Sequence, residues 1–569
     1  MWVNGNASIA AEIYQLYALV LQFVDRRSIF YYNPGRLDCD WQRWQQWGNL
    51  SDRPQWVWHS RMPFAQLKEQ QSSELFVLAC LPASFDVPAL AGLSASLNHL
   101  RDMPVLIELL HSSAIRQSDK DSLATQILAY CLKNSILNVV LYFQQDGSHL
   151  TLYSFSAFPS FTLIKRNLLH SRLAGGEGEL FPDQLANLGG YTVRIMPVYS
   201  EPTSIIQLDA NGEPRVSGYG WRLIETFAQK LGANISIVLP TWRPGRVLTE
   251  AYMLEFTRNG SIDFGLLSTQ MSHRLKSRYY QYSYPIFYGA WCIILPIERH
   301  IDLRAVFARV LEAKALALLL ISLGSYYLWL YLDRLLVPAW LRYCLRSLRI
   351  TPWILALLVL CACQAQLVSL INMCPMEAPI DSFDALLASN IRIFGLREEF
   401  YDMDDEFRAR YASAFRLTRN HTEFFQLRNS FNTSWAYPIT AIKWVVMKEL
   451  QSYFQRPVFR YSELCLSQNY PYSILLADES IFRKRLMMFT MRSRSSGLIN
   501  HWMRHSLIDM VQADRMKIKD YSTASQVQPL RLQDLWYVGL CLGGGLLLAA
   551  TVFVAELLPF YVNVWLDSL

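Results

Sequence analysis

Few residues in this sequence have the type and spacing to bind a small molecule. Arg274 lies five residues after Thr269, at the end of an apolar run. A guanidinium can bind a carboxylate through two parallel hydrogen bonds, and a hydroxyl can donate or accept one more. These residues could therefore hold an anionic group. A solvated basic loop explains the same pattern, because Lys276 and Arg278 are close by and Arg278 is a competing candidate.

Motifs of catalysis and metal binding are absent from the sequence. There are ten cysteines but no CxxC pair, no HExxH and no His-rich spacing, so we predict no zinc site. Phosphate-binding glycine motifs and the GxSxG nucleophile motif are also missing. We therefore predict no enzyme, no cofactor and no metal. The net charge of +6 is not gathered into one face or tail, so it gives no reason to expect nucleic acid as a partner.

The elements that would position Thr269 and Arg274 lie between Asn187 and Pro296. Short apolar runs alternate there with helical periodicity, as in the lobe of a solute-binding protein. The predicted elements are strands at Tyr191–Met196, Ile235–Leu239, Ile262–Leu267 and Trp291–Leu295, a helix through Trp221–Leu231 and a helix ending at Phe256.

The N-terminal part has the same alternation, which predicts an α/β unit with a mostly parallel sheet. Ile13–Val24 is either an ordinary amphipathic helix or a poor export signal whose true start lies upstream. The other predicted elements are strands at Leu75–Leu81, Val105–Leu110, Val139–Phe143 and Leu152–Pro159, and helices at Ala89–Leu100 and Leu123–Cys131.

Three long uncharged runs predict membrane spans, at Ala315–Leu332, Ile350–Met376 and Leu535–Ala555. The basic connection between the first two spans indicates a cytoplasmic side. Gln364 and Gln366 are the polar residues of the second span that we expect to face other helices or a pore. Sequons lie outside these spans and predict glycosylation at Asn49, Asn234, Asn259, Asn420 and Asn432.

Five blocks of sequence carry a resemblance to a known family. They include GYGWRLIETFAQKLGANI, GSIDFGLLSTQMSHR, YSYPIFYGAWCIILP, PIDSFDALLASNIRIFG and YPYSILLADESIFRKRLMMFTMRSRSSGLINHWM. The final span, LRLQDLWYVGLCLGGGLLLAATVFVAEL, agrees as well. In this order, over about residues 187 to 558, the sequence resembles the ionotropic glutamate receptors. It is more closely similar to the insect variant ionotropic receptors, which are chemosensory.

The resemblance implies α/β ectodomains plus an α-helical membrane bundle. The ectodomain would hold a bilobed, periplasmic-binding-protein-like clamshell split by the membrane insert, and the bundle would have three transmembrane helices and a possible re-entrant pore segment. The implied domains are an α/β amino-terminal ectodomain at 1–186, clamshell parts at 187–313 and 375–533, two spans at 314–374, and a last span with a short tail at 534–569.

The resemblance also implies ligand-binding positions. Arg274 and Thr269 match the family's arginine and threonine that hold the ligand's α-carboxylate. Asp402 and Met403 align with the pair that binds the side-chain carboxylate of glutamate, and Thr440 aligns with the acidic residue that holds the ligand's amino group. A carboxylate facing a carboxylate is unfavourable, and an ammonium without an anion is poorly compensated. We therefore predict that glutamate and glycine are not agonists. The alternative for Asp402 is a solvated helix start.

The function implied is a chemosensory, ligand-gated cation-channel subunit. Its partners would be a small-molecule ligand, co-receptor subunits of the same family in a heterotetramer, and membrane lipid. It would be a multi-pass plasma-membrane protein, in a sensory neuron dendrite by resemblance, with the N-terminal body and 375–533 outside the cell and the C-terminus cytoplasmic. A non-conducting ligand-binding receptor is the alternative. A transporter or enzyme is disfavoured, because three spans are few for transport.

Overall fold

The structure, a computed structural model, divides into two compact units. The first unit comprises Met1–Ile294, Arg392–Phe454 and Tyr461–Asp520, and the second comprises Leu295–Ile391, Gln455–Arg460 and Tyr521–Leu569. The residues that the structure describes are 12–21, 28–41, 44, 54–65, 67–70, 74–110, 116–144, 150–167, 180–198, 200–239, 250–270, 280–298, 317–318, 321, 324–327, 331, 350–373, 376–401, 403–522 and 536–566.

A seven-stranded sheet forms the core of the N-terminal domain. Its strand order is β2-β1-β3-β4-β5-β6-β7, with parallel pairing from β2 to β5 and antiparallel pairing from β5 to β7. The predicted strands Val105–Leu110 and Val139–Phe143 are confirmed to the residue. The strands are β1 (Ser28–Tyr32), β2 (Gln55–Trp58), β3 (Leu75–Pro82), β4 (Val105–Leu110), β5 (Val139–Phe143), β6 (Thr151–Ser156) and β7 (Thr162–Asn167).

Helices cover both faces of this sheet, which explains why β3 is apolar throughout and β4 is apolar except for the buried Glu108. A helix over residues 12–21 buries Leu16 on one face, in the core that contains Trp44. The opposite face is covered by α1 (Leu67–Gln70), α2 (Val87–Ser96) and α3 (Gln117–Lys133). Asp86 caps α2, because its Oδ1 accepts from the Ala89 N–H at 3.1 Å.

The second sheet of the first unit combines strands from two separated parts of the chain. Its order is β11-β8-β12-β17-β13-β16, and β12 pairs antiparallel with β17, as β13 does with β16. Residues before and after the predicted membrane insert therefore share one hydrogen-bonded layer. The strands are β8 (Thr192–Pro197), β11 (Asn234–Ile237), β12 (Phe264–Gln270), β13 (Phe287–Pro296), β16 (Tyr437–Thr440) and β17 (Phe459–Leu476).

Helices and two small sheets complete the first unit. The hairpin of β9 (Ile205–Leu208) and β10 (Pro214–Ser217) is antiparallel, and β14 (Ile393–Leu396) pairs parallel with β15 (Phe415–Thr418). The helices are α4 (Tyr219–Lys230), α5 (Glu250–Arg258), α8 (Arg397–Tyr401), α9 (Asp405–Tyr411), α10 (His421–Asn429), α11 (Ala441–Gln451), α12 (Arg483–Ser495) and α13 (Leu498–Gln512).

Gly218 is the residue that allows α4 to begin where it does. Its φ is 106°, and a Cβ built on it would stand 2.6 Å from the Pro202 carbonyl oxygen. Only glycine fits both the dihedral and the close approach. The amphipathic helix that the sequence predicts after this glycine is confirmed, and it buries Ile224 and Phe227 in the core shared with β12 and β17.

The second unit contains α6 (Thr351–Met373), α7 (Phe383–Ala388) and α14 (Trp536–Leu566). Ser382 caps α7 through a hydrogen bond from the Ala385 N–H to its hydroxyl at 3.0 Å. Arg460 joins separated parts of this unit, because its Nε lies 2.6 Å from Glu298 Oε1 and its Nη2 donates to the Ile380 carbonyl at 3.1 Å.

The predicted membrane bundle is wrong. Among the residues that the structure describes, no helix is both long enough and apolar enough to cross a membrane. The prediction rested on runs that are long enough to cross the hydrocarbon layer and carry no charge. Most of the first predicted span, Ala315–Leu332, lies outside the described residues. What the structure shows is an α/β protein with mixed sheets.

The predicted localisation is wrong for the same reason as the membrane bundle. A multi-pass plasma-membrane topology needs helices that span the bilayer, and the helices described here do not qualify. Gln364 and Gln366 lie on α6 with exposed side chains. Their pore role was inferred from the span that contained them, so the described structure gives it no support.

Candidate functional site

The predicted ligand-binding residues are only partly within the described structure. Thr269 lies in β12, where it pairs with Ser473 of β17. Arg274, the competing Arg278 and Asp402 lie outside the described residues. Met403 is half-buried, and its N–H donates to the Phe400 carbonyl at 3.2 Å. The proximity of Arg274 and Asp402 to the other positions therefore stays a prediction.

Thr440 ends β16 and begins α11. Its hydroxyl accepts a hydrogen bond from the Lys443 N–H at 3.4 Å, so the side chain caps the helix. Thr440 pairs across the sheet with Trp291 of β13. The resemblance implies that this hydroxyl lies near a ligand's amino group, whereas here it accepts the capping hydrogen bond. Lys443, one turn further along α11, is the charged residue next to this cap.

Lys443 forms a buried ion pair with Glu201. Its Nζ lies 3.2 Å from Glu201 Oε2, and both side chains are 1% exposed. Glu201 precedes β9 and lies before the segment Leu295–Ile391 of the second unit, whereas Lys443 lies after that segment. The pair therefore joins the same two segments that share the second sheet.

Three further side chains surround this pair, and we call the five residues the Glu201 cluster. Asn429 donates to Glu201 Oε2 at 3.4 Å and to the Arg515 carbonyl at 3.2 Å. Arg515 Nε lies 3.6 Å from Glu201 Oε1. The Lys443 ammonium also lies 3.2 Å from Met510 Sδ. The ends of α10 and α13, the start of α11 and the turn before β9 thus converge on one carboxylate.

Positive charge exceeds negative charge at the Glu201 cluster. Lys443 and Arg515 face Glu201, and the buried guanidinium of Arg428 is close enough to interact electrostatically with Glu201 and Lys443. Glu399 offsets part of the Arg428 charge. Burial lowers the pKa of Arg428, and Arg428 Nη1 donates to the Pro438 carbonyl at 3.3 Å.

Polar atoms of the Glu201 cluster and of the neighbouring Arg428 can still donate or accept hydrogen bonds. Glu201 Oε1, Asn429 Oδ1 and Arg428 Nε are buried without a hydrogen-bond partner among the described residues. Buried polar groups of this kind are normally satisfied by water or a ligand. Glu201 Oε1 and Asn429 Oδ1 are acceptors and Arg428 Nε is a donor, so these atoms can hydrogen-bond water or a small polar molecule, while the excess of cations attracts negative charge.

The pKa of Lys443 gives a pH prediction. Burial lowers this pKa from 10.5 to about 8, although the Glu201 carboxylate opposes the shift. Between about pH 8 and 10.5 the unfolded chain therefore binds more protons at this lysine than the folded protein does. The free energy of unfolding should rise with pH in that window, by at most about 3 kcal/mol from this residue.

Urea denaturation between pH 7.5 and 10 measures this effect as the difference between the parent and Lys443→Met. The difference is needed because burial raises the pKa of Tyr32 to about 12, which makes stability fall at higher pH. Lys448→Met is the matched control, since Lys448 is exposed on the same helix. If the free energy of unfolding changed with pH in parallel for the parent and for Lys443→Met, the lowered pKa of Lys443 would be contradicted.

A second ionic contact also joins the two segments. Arg222 Nη2 of α4 lies 2.6 Å from Asp509 Oδ1 of α13, and the Asp509 side chain is 2% exposed. The Gly218 N–H donates to the other carboxylate oxygen at 3.2 Å. Asp509 therefore compensates both a guanidinium and the N-terminus of α4.

Disulfides Cys39–Cys80 and Cys292–Cys465 occur in the first unit. The first lies within the N-terminal domain, and the second joins β13 to β17. The predicted glycosylation sites stay predictions: Asn234, Asn259 and Asn420 are exposed, Asn432 is half-buried, and Asn49 lies outside the described residues. Disulfides form and persist in oxidising environments, so the two bonds suit such a compartment.

The class of protein that these observations define is a mixed α/β protein in which two separated segments fold together around a buried ionic cluster. No protein-family model matches the sequence, and no curated protein matches it either.

Proposed function

We propose that the segments 187–294 and 392–520 bind a small molecule that carries a carboxylate. The observation that supports this is the Glu201 cluster, in which one segment supplies a carboxylate and the other supplies the cations that hold it. A ligand carboxylate has the same chemistry as Glu201. It can compete with Glu201 for Lys443 and Arg515, which are then partners already positioned for an anion.

The charge of the cluster also determines which ligands are excluded. The three cations Lys443, Arg428 and Arg515 outnumber the two carboxylates that interact with them, Glu201 and Glu399. A ligand ammonium placed there would be repelled by these cations. This supports the prediction that glycine and glutamate are not ligands, and it favours carboxylates without an amino group.

Exchange of the carboxylate would couple binding to conformation. Glu201 and Lys443 come from different segments, so replacing their ion pair changes what holds the two segments together. The ligand can shift the conformational equilibrium only to the extent that it binds one arrangement better than the other. This is the behaviour of a receptor domain.

The proposed function corresponds to the non-conducting ligand-binding receptor that the sequence offered as an alternative. A cation channel needs membrane-spanning helices, and the helices of the described residues do not meet that requirement. The chemosensory setting and the co-receptor partners rest on the sequence resemblance alone. Ligand binding by the first unit requires neither.

Isothermal titration calorimetry on the full chain tests the proposal. Propionate and glutarate should give binding heat, whereas propylamine, glycine and glutamate should not. Lys443→Met should remove the carboxylate signal, because it removes the cation that pairs with the anion. Lys448→Met, the same change at an exposed position of α11, should leave the signal intact.

Binding of glutamate in the micromolar range would contradict the prediction that the site excludes ligands with an ammonium group. Equal heats from propionate and propylamine would contradict anion selectivity, and this comparison needs no variant. Carboxylate binding that survives Lys443→Met unchanged would place the ligand elsewhere in the chain.

A further inference from the structure

A histidine and two acidic side chains meet where the N-terminal domain contacts the turn after β17. His99 lies in the loop between α2 and β4, and Asp478 and Glu479 follow β17. His99 Nδ1 is 3.2 Å from Glu479 Oε1 and 3.8 Å from Asp478 Oδ1. One donor atom from each of the three side chains lies within 4.8 Å of the others.

Several contacts fix these donors before any ion binds. The His99 N–H donates to Glu479 Oε1 at 3.0 Å and to Oε2 at 3.3 Å, and Arg101 Nε lies 3.2 Å from Oε2. The imidazole stacks on the Tyr280 ring with centroids 3.6 Å apart and planes 9° apart. The ring plane of His99 and the carboxylate of Glu479 are therefore both oriented.

The distances from His99 Nδ1 to the two carboxylates suit a zinc-sized ion. Zinc binds nitrogen and oxygen at about 2.1 Å, so two of its ligands stand no more than about 4.2 Å apart. Both distances from His99 Nδ1 satisfy this limit. Asp478 has a side chain that is 45% exposed, which leaves it room to turn toward the other two donors.

His99 Nδ1 is the ring nitrogen that is available to bind an ion. It is buried and has no hydrogen-bond partner among the described residues, although both carboxylates face it. The other ring nitrogen, Nε2, lies 3.3 Å from the Asn98 side-chain amide. With a metal on Nδ1, Nε2 carries the proton, and the Asn98 amide can rotate to present its oxygen as the acceptor.

We infer that His99, Asp478 and Glu479 bind a divalent transition-metal ion, of which zinc is the representative. An imidazole with two carboxylates suits zinc, cobalt or nickel, whereas magnesium and calcium prefer oxygen ligands only. Three protein ligands leave one position for water. Arg101 offsets one carboxylate charge, so the affinity should be moderate rather than that of a structural zinc site.

The ion would tie the N-terminal domain to the start of α12. His99 and Glu479 are 380 residues apart in sequence, which is why no metal motif is visible in the chain. The same junction holds an ion pair between Lys484 Nζ and Asp102 Oδ2 at 2.7 Å. An ion that binds only the folded protein raises its melting temperature in proportion to the logarithm of its concentration.

Zinc titration of the full chain by calorimetry, with cobalt absorption spectra as a second readout, tests the site. We expect one equivalent to bind, with a visible cobalt spectrum typical of four-coordinate geometry. His99→Asn and Asp478→Asn should each weaken zinc binding by about tenfold or more. Asparagine is chosen at His99 because the backbone φ there is 63° and asparagine tolerates this region.

Asp102→Asn is the matched control, since it removes a carboxylate at the same junction without removing a metal ligand. Its zinc affinity should equal that of the parent. The inference is overturned if the parent binds no stoichiometric zinc, or if Asp478→Asn binds it as tightly as the parent. Because Asp478 is largely exposed, that second variant stays informative even where His99→Asn fails to fold.

Discussion

Glu201→Gln is expected to lower the free energy of unfolding by about 3–5 kcal/mol, the usual effect of removing one partner from a buried ion pair. The substitution leaves the Lys443 ammonium without the carboxylate at 3.2 Å, while Arg428 and Arg515 remain close to it. The lysine must then lose its proton to stay buried, and Asn429 loses a hydrogen-bond acceptor. Urea denaturation followed by tryptophan fluorescence measures the change.

A double-mutant cycle separates the ion pair from the rest of the cluster. Once Glu201 is glutamine, Lys443→Met removes a charge that no longer has a partner. The double variant should therefore be more stable than the sum of the two single effects predicts, by about 1–3 kcal/mol. Glu213→Gln, at an exposed glutamate in the hairpin after Glu201, should change stability by less than about 0.5 kcal/mol.

Additive effects of Glu201→Gln and Lys443→Met would show that the two groups do not interact in the folded protein. Equal stability of Glu201→Gln and Glu213→Gln would show that Glu201 is not buried among cations. Either result would remove the observation on which the proposed ligand site rests.

Local hydrophobic pattern was sufficient to predict most of the elements in the first unit. β5 is a continuous apolar run and β4 is interrupted only by Glu108, and the boundaries of both were predicted to the residue. Tertiary packing does not override such a pattern, because burial on both faces of a parallel sheet reinforces it. Helix boundaries were less accurate: α2 was predicted at Ala89–Leu100 but spans Val87–Ser96, since Asp86 caps it and Leu97 ends it.

The candidate site was not predicted from the sequence because its contacts are long-range. Glu201 and Lys443 are 242 residues apart, so no local spacing relates them. One signal was available: Lys443 lies on the same helical face as Val446 and Leu450, both buried. A lysine on an otherwise apolar face must be compensated by a buried anion. Such a pattern identifies one partner but not the other.

The prediction of membrane spans was also wrong. It rested on the length of Ile350–Met376 and Leu535–Ala555 together with their lack of charge. The helices α6 and α14 occupy most of these runs, and among the residues that the structure describes no helix meets the joint requirement of length and apolar character.

Removing the disulfide between Cys292 and Cys465 is expected to lower the free energy of unfolding by about 2–5 kcal/mol. This bond joins β13 to β17 across 173 residues of sequence, and that intervening chain includes most of the second unit. Closing so long a loop restricts the unfolded chain strongly, so its removal stabilises the unfolded state. Urea denaturation of the Cys292→Ala, Cys465→Ala double variant under non-reducing conditions measures the loss.

The chain supplies its own control in the disulfide between Cys39 and Cys80, which closes 41 residues within the N-terminal domain. Loop-closure entropy grows with the logarithm of loop length, so the longer loop should contribute more by about 1 kcal/mol. Peptide mapping without reductant establishes that both bonds are present. Intact folding of the Cys292→Ala, Cys465→Ala protein at parental stability would mean that hydrogen bonds and packing alone join the two segments of the second sheet.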